Sequence, residues 1–384
     1  MTRKPNKCKA HSYVVYSNLL IPTVLLAVLA FSGCASVSAQ YAPAKPHHTP
    51  EGFKNNYTGS VNKSRSDFFR WQYQRLLDDV PKPPQTPTPT VAPDVAFIQA
   101  NAKAPAMQPA VTWIGHATML VQADGLSVLT DPIFSERASP IQSLGPKRVH
   151  PPGLSIEQLP PIDVVVISHN HYDHLDKNSI LALANRAPSA TLFIVPLGVK
   201  ALFTELGITN VKELDWWDSI NVKGVEFNFT PVQHWSARGL GDRSQTLWGG
   251  WAVLGSTMHW YFSGDTGYSQ DFVDTQKRFA ERQTSAKGGG FDLALIAVGA
   301  YEPRWFMKEQ HVNPAEAVQI HQDLKAKRSV GVHWGTFALT DESLDQPPKD
   351  LAAARQAANI KDDDFFLLAI GQTRRIDKRA ATAP

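Results

Sequence analysis

The sequence predicts an α/β fold of two packed sheets flanked by helices, on three observations. From residue 111 onward eleven short apolar runs recur, at 111–114, 119–121, 126–129, 164–167, 192–195, 225–232, 247–254, 260–262, 293–298, 330–332 and 365–370. Runs of that length and composition suit buried strands. Helical patterns fall between several of them, at 178–184, 197–206, 270–282, 314–325 and 351–358. So many strands with helices interspersed favour layered sheets over a helical bundle. One helix start is explicit: Asn313-Pro314-Ala315-Glu316 offers an N-cap, a proline at the first helical position and a capping-box glutamate. No fixed-period repeat is visible.

In chain order, residues 1–33 come first and read as an export signal. Arg3, Lys4, Lys7 and Lys9 precede an apolar stretch around 19–31, followed by Phe31-Ser32-Gly33-Cys34. That tetrapeptide resembles a bacterial lipoprotein processing box, which implies a signal peptide over 1–33 and a lipidated Cys34 as the first mature residue. Ala35 after the cysteine resembles the outer-membrane sorting pattern of Gram-negative lipoproteins. The expected place is therefore the outer membrane of the envelope, with the bilayer as a partner through the N-terminal lipid. The alternative is an uncleaved spanning anchor, for which the apolar stretch is short against about 30 Å of hydrocarbon.

Residues 34–66 are polar and aperiodic and read as a tether. Residues 67–110 hold a short helix at 67–78, with Phe69, Tyr73 and Leu76 at one-face spacing. Pro81, Pro83, Pro84, Pro87, Pro89 and Pro93 then forbid helix and central strand. That stretch is an extended wrap or a linker, packed on the body or free. Residues 111–384 form the main domain, in which the apolar runs lie.

Composition narrows the function classes. The chain has 384 residues, 43% hydrophobic and 19% charged, enough for a sizeable core. The formal charge of +3 owes four cations to the first 33 residues, and the remainder carries −1. Nucleic acid is thus not an expected partner. Cys8 and Cys34 are the only cysteines, so a mature chain starting at Cys34 forms no internal disulfide and relies on packing and metal.

The chemistry concentrates where apolar runs end. Ser168-His169-Asn170-His171-Tyr172-Asp173-His174-Leu175-Asp176 directly follows the run at 164–167. Four imidazole and carboxylate side chains within six positions are what a zinc-like divalent ion prefers. On an extended, turning backbone such a cluster can face two metals. Other runs lead in the same way to His234, Asp265 and His333, and strand ends converge on one edge of a sheet. A lone histidine is ordinarily a satisfied core or surface residue. Repetition at strand ends, beside the cluster, makes these candidate ligands of a dinuclear metallohydrolase.

The motif H-x-H-x-D-H, followed by His, Asp and His at later strand ends, resembles the ligand series of the metallo-β-lactamase superfamily. The resemblance implies a four-layer αββα sandwich. It also implies His169, His171 and His234 on one metal, with Asp173, His174 and His333 on the other and Asp265 bridging them. Two Zn2+ ions are the expected cofactors, with iron and manganese as alternatives. More closely, 112–118 (Thr-Trp-Ile-Gly-His-Ala-Thr), 130–135, Gly145-Pro146-Lys147-Arg148, 233–236, 264–268 and above all 299–338 resemble the family of N-acylphosphatidylethanolamine-hydrolysing phospholipases D. This likeness spans about 111–370.

The candidate catalytic residues are Asp173, beyond its place among the ligands, and His311. The resemblance implies that His311 acts near the scissile phosphate, as a proton donor to the leaving alcohol or a stabiliser of phosphoryl oxygens; its alternative is a structural histidine before the helix at Pro314. Arg304 is the candidate phosphate contact through its guanidinium fork, or else an ordinary surface ion pair. Trp235, Trp305, Phe306 and Trp334 flank the ligands and either line an acyl-chain groove or belong to the core. Trp235 and Trp305 are taken as substrate-binding. Asp131 and Asp176 are candidates to orient imidazoles, although Asp131 also suits a turn before Pro132. His116 receives no role.

The expected reaction is hydrolysis of a phospholipid phosphodiester of the phospholipase D type, giving an N-acylethanolamine and phosphatidate. Water held between two divalent ions loses a proton near neutral pH and becomes the nucleophile. The alternatives are a lactonase or phosphodiesterase acting on a soluble metabolite, and a non-enzymatic envelope lipoprotein with a structural metal site. Antibiotic hydrolysis is disfavoured, because Asp265 resembles the bridging carboxylate of the hydrolase and phosphodiesterase branches.

Overall fold

A computed structural model describes residues 45–61, 63–186 and 191–379. The signal peptide and the Cys34 anchor expected from the sequence lie outside the described residues. A short ribbon of β1 (His48–Thr49) and β2 (Gly52–Phe53) comes first, followed by helices α1 (Arg65–Asp78) and α2 (Val95–Ala102). The first large sheet follows, with β3 (Ala110–Gly115), β4 (Thr118–Ala123), β5 (Leu126–Thr130) and β6 (Val164–Val166). Helix α3 (Lys177–Arg186), β7 (Leu192–Pro196), α4 (Lys200–Glu205) and β8 (Val211–Leu214) complete its run.

The second sheet begins with β9 (Ser219–Val222), β10 (Val225–Thr230), β11 (Gly250–Leu254) and β12 (His259–Phe262). Helix α5 (Asp271–Phe279), β13 (Leu293–Ala297), α6 (Arg304–Met307), α7 (Pro314–Asp323), β14 (Ser329–Val332), α8 (Gln346–Ala358) and β15 (Phe365–Phe366) follow. The last strand, β16 (Thr373–Arg375), returns to the first sheet. The two sheets have seven strands each, in the orders β16-β3-β4-β5-β6-β7-β8 and β15-β14-β13-β12-β11-β10-β9. Each starts with antiparallel hairpins and continues with parallel strands; parallel neighbours need crossovers, which helices supply except between β5 and β6, joined by the helix-free stretch 131–163.

Strand alternation builds the layers. Met119 and Val121 of β4 and Val164 and Val166 of β6 share a core with Phe229, Trp251 and Phe262 of the second sheet. The intervening Leu120 and Val165 pack instead with Ile98 of α2, Ile180 of α3 and Phe203 of α4. On the far side of the second sheet, Phe272 of α5, Val318 of α7 and Leu351 of α8 close the sandwich. Helices, sheet, sheet and helices make the four expected layers.

In the two large sheets the three strands that apolar runs do not announce, β8, β9 and β16, are all at edges. Their sequences, VKEL, SINV and TRR, are polar, which suits an edge that must not pair with another chain. Helix α8 starts at Gln346, five residues before the expected 351, because Pro347 and Pro348 sit in its first turn, where no amide is required. The tether expected over 34–66 is corrected from residue 45 onward. Lys45, His47 and His48 clasp Asp215 at 3.0, 2.7 and 2.8 Å, and Phe53 and Val61 are buried.

The proline segment wraps onto the body. Val91 N–H donates to the Ile370 carbonyl, Ile370 N–H to the Pro89 carbonyl, and the Thr88 hydroxyl to the Gly335 carbonyl. In α1 the face is corrected: the buried residue is Trp71, whereas Phe69, Tyr73 and Leu76 point to solvent.

Candidate metal centre

Five chain segments deliver the site, each at the end of a strand. The turn at 168–176 follows β6, His234 follows β10, Asp265 follows β12, His333 follows β14 and His116 follows β3. His333 N–H donates to the His116 carbonyl at 3.0 Å, tying the ends of the two sheets together. Both histidines adopt positive φ, 53° and 62°, strained for residues with a Cβ and held by the surrounding packing. Gly264 lets β12 approach the turn, since a Cβ there would lie 2.5 Å from that of Ser168.

Two clusters result. In one, His171 Nδ1 lies 2.7 Å from His169 Nε2 and 3.3 Å from His234 Nε2. In the other, Asp173 Oδ2 lies 2.9 Å from His116 Nε2 and 3.3 Å from both His174 Nε2 and His333 Nε2. Asp265 stands between them. Its Oδ2 is 3.1 Å from His174 Nε2 and 3.9 Å from both His169 Nε2 and His234 Nε2, and its Oδ1 is 3.1 Å from His333 Nε2.

Hydrogen bonds behind the imidazoles decide which nitrogens face inward. His234 Nδ1 is 2.9 Å from the Gln310 carbonyl, which only accepts, so Nδ1 carries the proton and Nε2 presents a lone pair. Ser168 Oγ gives its proton to Asp131 at 2.5 Å and accepts from His169 Nδ1 at 2.9 Å, again leaving Nε2 bare. His174 Nδ1 donates to Asp131 Oδ2 at 2.7 Å. Its Nε2, buried and without a hydrogen bond, then faces two carboxylates. Lone pairs meeting lone pairs, and imidazole meeting carboxylate, call for protons or cations; this donor set fits divalent, zinc-like ions.

The electrostatics of the metal-free protein separate the clusters. Burial chiefly pushes His171 down to about 4 and His234 to about 3, and with neighbouring imidazoles holds His169 well below its ordinary value. Burial acts on His174 and His333 too, but Asp265 and Asp173 outweigh it, holding His174 well above the usual imidazole value and His333 at about 9. Both carboxyls stay well below theirs, burial being overcome first by His174.

All seven residues expected as ligands are thus brought together. His116 joins them, a residue with no role expected from its sequence context. It sits just past a strand, the same placement that singled out His234 and His333. Asp131 touches His174 as expected. Asp176 does not orient an imidazole: its carboxylate accepts from the amide and hydroxyl of Ser179 and starts α3.

His311 reaches the centre, with Nδ1 3.8 Å from Asp265 Oδ2 and no hydrogen-bond partner. Arg304 does not face it. Its guanidinium bonds Glu316 at 2.7 Å and the His311 carbonyl at 2.8 Å, so the phosphate contact expected there is corrected to a brace for the loop carrying His311.

A cleft of about 400 Å³ opens over both clusters. Trp235 is on its wall, 4.3 Å from the His171 ring, and Arg243 lies over Trp235 at 3.7 Å. Phe68, Trp71 and Phe306 also line it. Trp305 is not on the lining but outside it, against Arg70, and Trp334 is core, stacked on Trp113. Asn55, from the segment before α1, bonds the backbone of His234 twice: Nδ2 donates to its carbonyl and Oδ1 accepts from its N–H, each at 3.0 Å.

The profile of the beta-lactamase superfamily domain matches residues 127–334. An N-acyl-phosphatidylethanolamine-hydrolyzing phospholipase D of Caenorhabditis elegans is 42% identical over 275 residues, covering 68% of this chain and 74% of that protein. A mitochondrial protein of the same description from Saccharomyces cerevisiae is 37% identical over 275 residues, covering 69% of this chain and 56% of its own length. Among solved structures, an isothiocyanate hydrolase from Delia radicum gut bacteria superposes with TM-score 0.55 at 20% identity, covering 70% of this chain and 99% of its own, which speaks to the fold. With the clusters in place and relatives this similar, the chain belongs to the metallo-β-lactamase superfamily as a metal-dependent hydrolase, in the family of the N-acyl-phosphatidylethanolamine-hydrolysing phospholipases D.

Proposed function

We propose that the protein hydrolyses the phosphodiester of an N-acylated phospholipid at a dinuclear centre, releasing an N-acylethanolamine and leaving phosphatidate. The observation that carries this reading is the make-up of one cleft: ligands of both clusters on its lining together with the cations Lys63 and Arg243 and the apolar Phe68, Trp71 and Phe306. An anionic diester with acyl chains matches that polarity. His169, His171 and His234 would hold one ion, Asp173, His174 and His333 the other, and Asp265 both. When bound, such ions neutralise charge on a phosphoryl group and acidify a water.

The chain's own residues do the rest. Burial pushes His311 down to about 3, so it is neutral at pH 7 and acts as a hydrogen-bond donor to phosphoryl oxygens rather than as an imidazolium acid. Arg243 takes the role first given to Arg304. Among the described residues no acid acts on it, its guanidinium bonding the Val61 carbonyl instead, and its planar fork suits a phosphodiester. Phe68, Trp71 and Phe306 receive an acyl chain. Trp235, fixed by its bond to Gln310 at 2.8 Å, closes the side next to His171.

The test is a panel of N-acylated phospholipid, water-soluble phosphodiester and lactone, run on one preparation of known metal content. Preference for the phospholipid by about tenfold or more supports the reading; equal rates on the soluble diester or the lactone overturn it. A lipidated Cys34 at the outer membrane completes the proposal. Radiolabelled fatty acid should be incorporated by the wild-type chain and not by Cys34→Ser.

A further inference from the structure

The hairpin joining β3 to β4 turns on His116. Gly115 pairs with Thr118, so His116 and Ala117 are the two turn residues, and the first has a φ of 53°. Two-residue hairpin turns favour glycine or asparagine at that place, because other side chains are strained there. Here it holds an imidazole that is 1% exposed. Packing fixes the ring: its centroid lies 4.0 Å from that of His333, and it meets Phe337 edge-on at 5.2 Å. The backbone is bonded on both sides. The Thr336 hydroxyl oxygen accepts the His116 N–H at 2.8 Å. The His116 carbonyl accepts from Trp113 Nε1 at 2.9 Å and from the His333 N–H at 3.0 Å. Neither the turn nor these backbone bonds need an imidazole. What the ring does is bring Nε2 to 2.9 Å from Asp173 Oδ2.

We infer that His116 is a positioning residue for the second ion, holding two of its ligands: Asp173 through the side chain and His333 through the backbone. A carboxylate only accepts, so His116 Nε2 carries a hydrogen and donates it. The acceptor oxygen has two lone pairs; with one committed to His116, the other is aimed at the ion. His116 stands behind the ligands and is not one of them. His174 and His333 each face Asp265 at 3.1 Å as well as Asp173, whereas His116 bonds Asp173 alone. Asp173, His174, His333 and Asp265 already make the four donors usual for a zinc-like ion.

The inference rests on the two-ion part of the proposed function and not on the substrate, so its test reads metal alone. Zinc affinity of the full chain is measured by competition with a chelator, and the cobalt-loaded protein reports the ligand shell by its absorption bands. His116→Asn suits the turn but is too short to reach Asp173; His116→Gln carries an amide N–H out to the place of Nε2. The asparagine variant should keep the metal-free thermal midpoint of the wild type and its first ion, and lose about 10–100-fold in affinity for the second. The glutamine variant should recover most of that loss, with cobalt bands unshifted. Wild-type affinity for both ions in the asparagine variant overturns the proposal and leaves the two-ion reading intact. An asparagine variant that does not fold also overturns it, by assigning the imidazole to the fold. So does an equal loss in both variants with shifted cobalt bands, which would make His116 a ligand. A wild type that binds one ion overturns the two-ion reading, and the inference with it.

Discussion

The two ligand clusters use the same residue types and prepare them in opposite ways. The cluster of His169, His171 and His234 is all imidazole; burial keeps it neutral, with lone pairs turned inward. The cluster of Asp173, His174 and His333 includes a carboxylate, and in the metal-free protein its histidines hold protons. At His174 and His333 two carboxylates each outweigh burial. At His116 burial and the neighbouring His333 win over its one bond to Asp173 and push it down to about 3. An ion entering the first cluster meets open lone pairs, whereas one entering the second must displace protons.

The harshest way to break that contrast is Asp265→Ala, because the Asp265 carboxylate approaches histidines of both clusters. It should remove most bound metal from both and lower turnover on the order of a thousandfold or more, measured by metal analysis alongside the diester assay. His234→Ala and His333→Ala should each retain about one ion per chain, which metal analysis reads directly. If either variant loses both ions, the clusters are one cooperative unit.

Asp131→Asn tests the support behind one cluster. Asp131 orients His174 directly and His169 only through Ser168, so affinity for the second ion should fall about 10–100-fold and that for the first much less, as competition with a chelator would report. The mildest perturbation is pH. His333, raised to about 9, and His174, raised well above its ordinary value, are protonated at pH 7 in the metal-free protein. Ligation needs them deprotonated, so occupancy of their cluster rises with pH and is lost as pH falls. His171 at about 4 and His234 at about 3 keep the first cluster open to metal far lower. Dialysis stepped from pH 8 to pH 5 should take the protein from two ions to one, and simultaneous loss would refute the distinction.

Much of this centre is legible in the sequence because its residues occupy strand ends, and strand ends in a layered sandwich meet. His116 obeys that rule and was missed because a single histidine between glycine and alanine carries no spacing of its own. Arg304 is not legible as a brace because the nearest partner of a guanidinium is a tertiary fact: Glu316, twelve residues on, sits one helix start away and claims it. The stripe at Phe69, Tyr73 and Leu76 gave the helix but not its facing, since periodicity locates a face without saying what it meets. The edge strands stayed hidden because protection from pairing removes the apolar run that would reveal them.

The pair of hydrogen bonds between Asn55 and the backbone of His234 has a practical consequence for anyone trimming this gene. The span 127–334, which sequence comparison marks out, leaves behind a brace on one of its own histidines, along with the clasp at Asp215 that holds the brace down. A clone opened at residue 67 or 111 would encode both sheets and still deliver His234 without the Asn55 brace on its backbone.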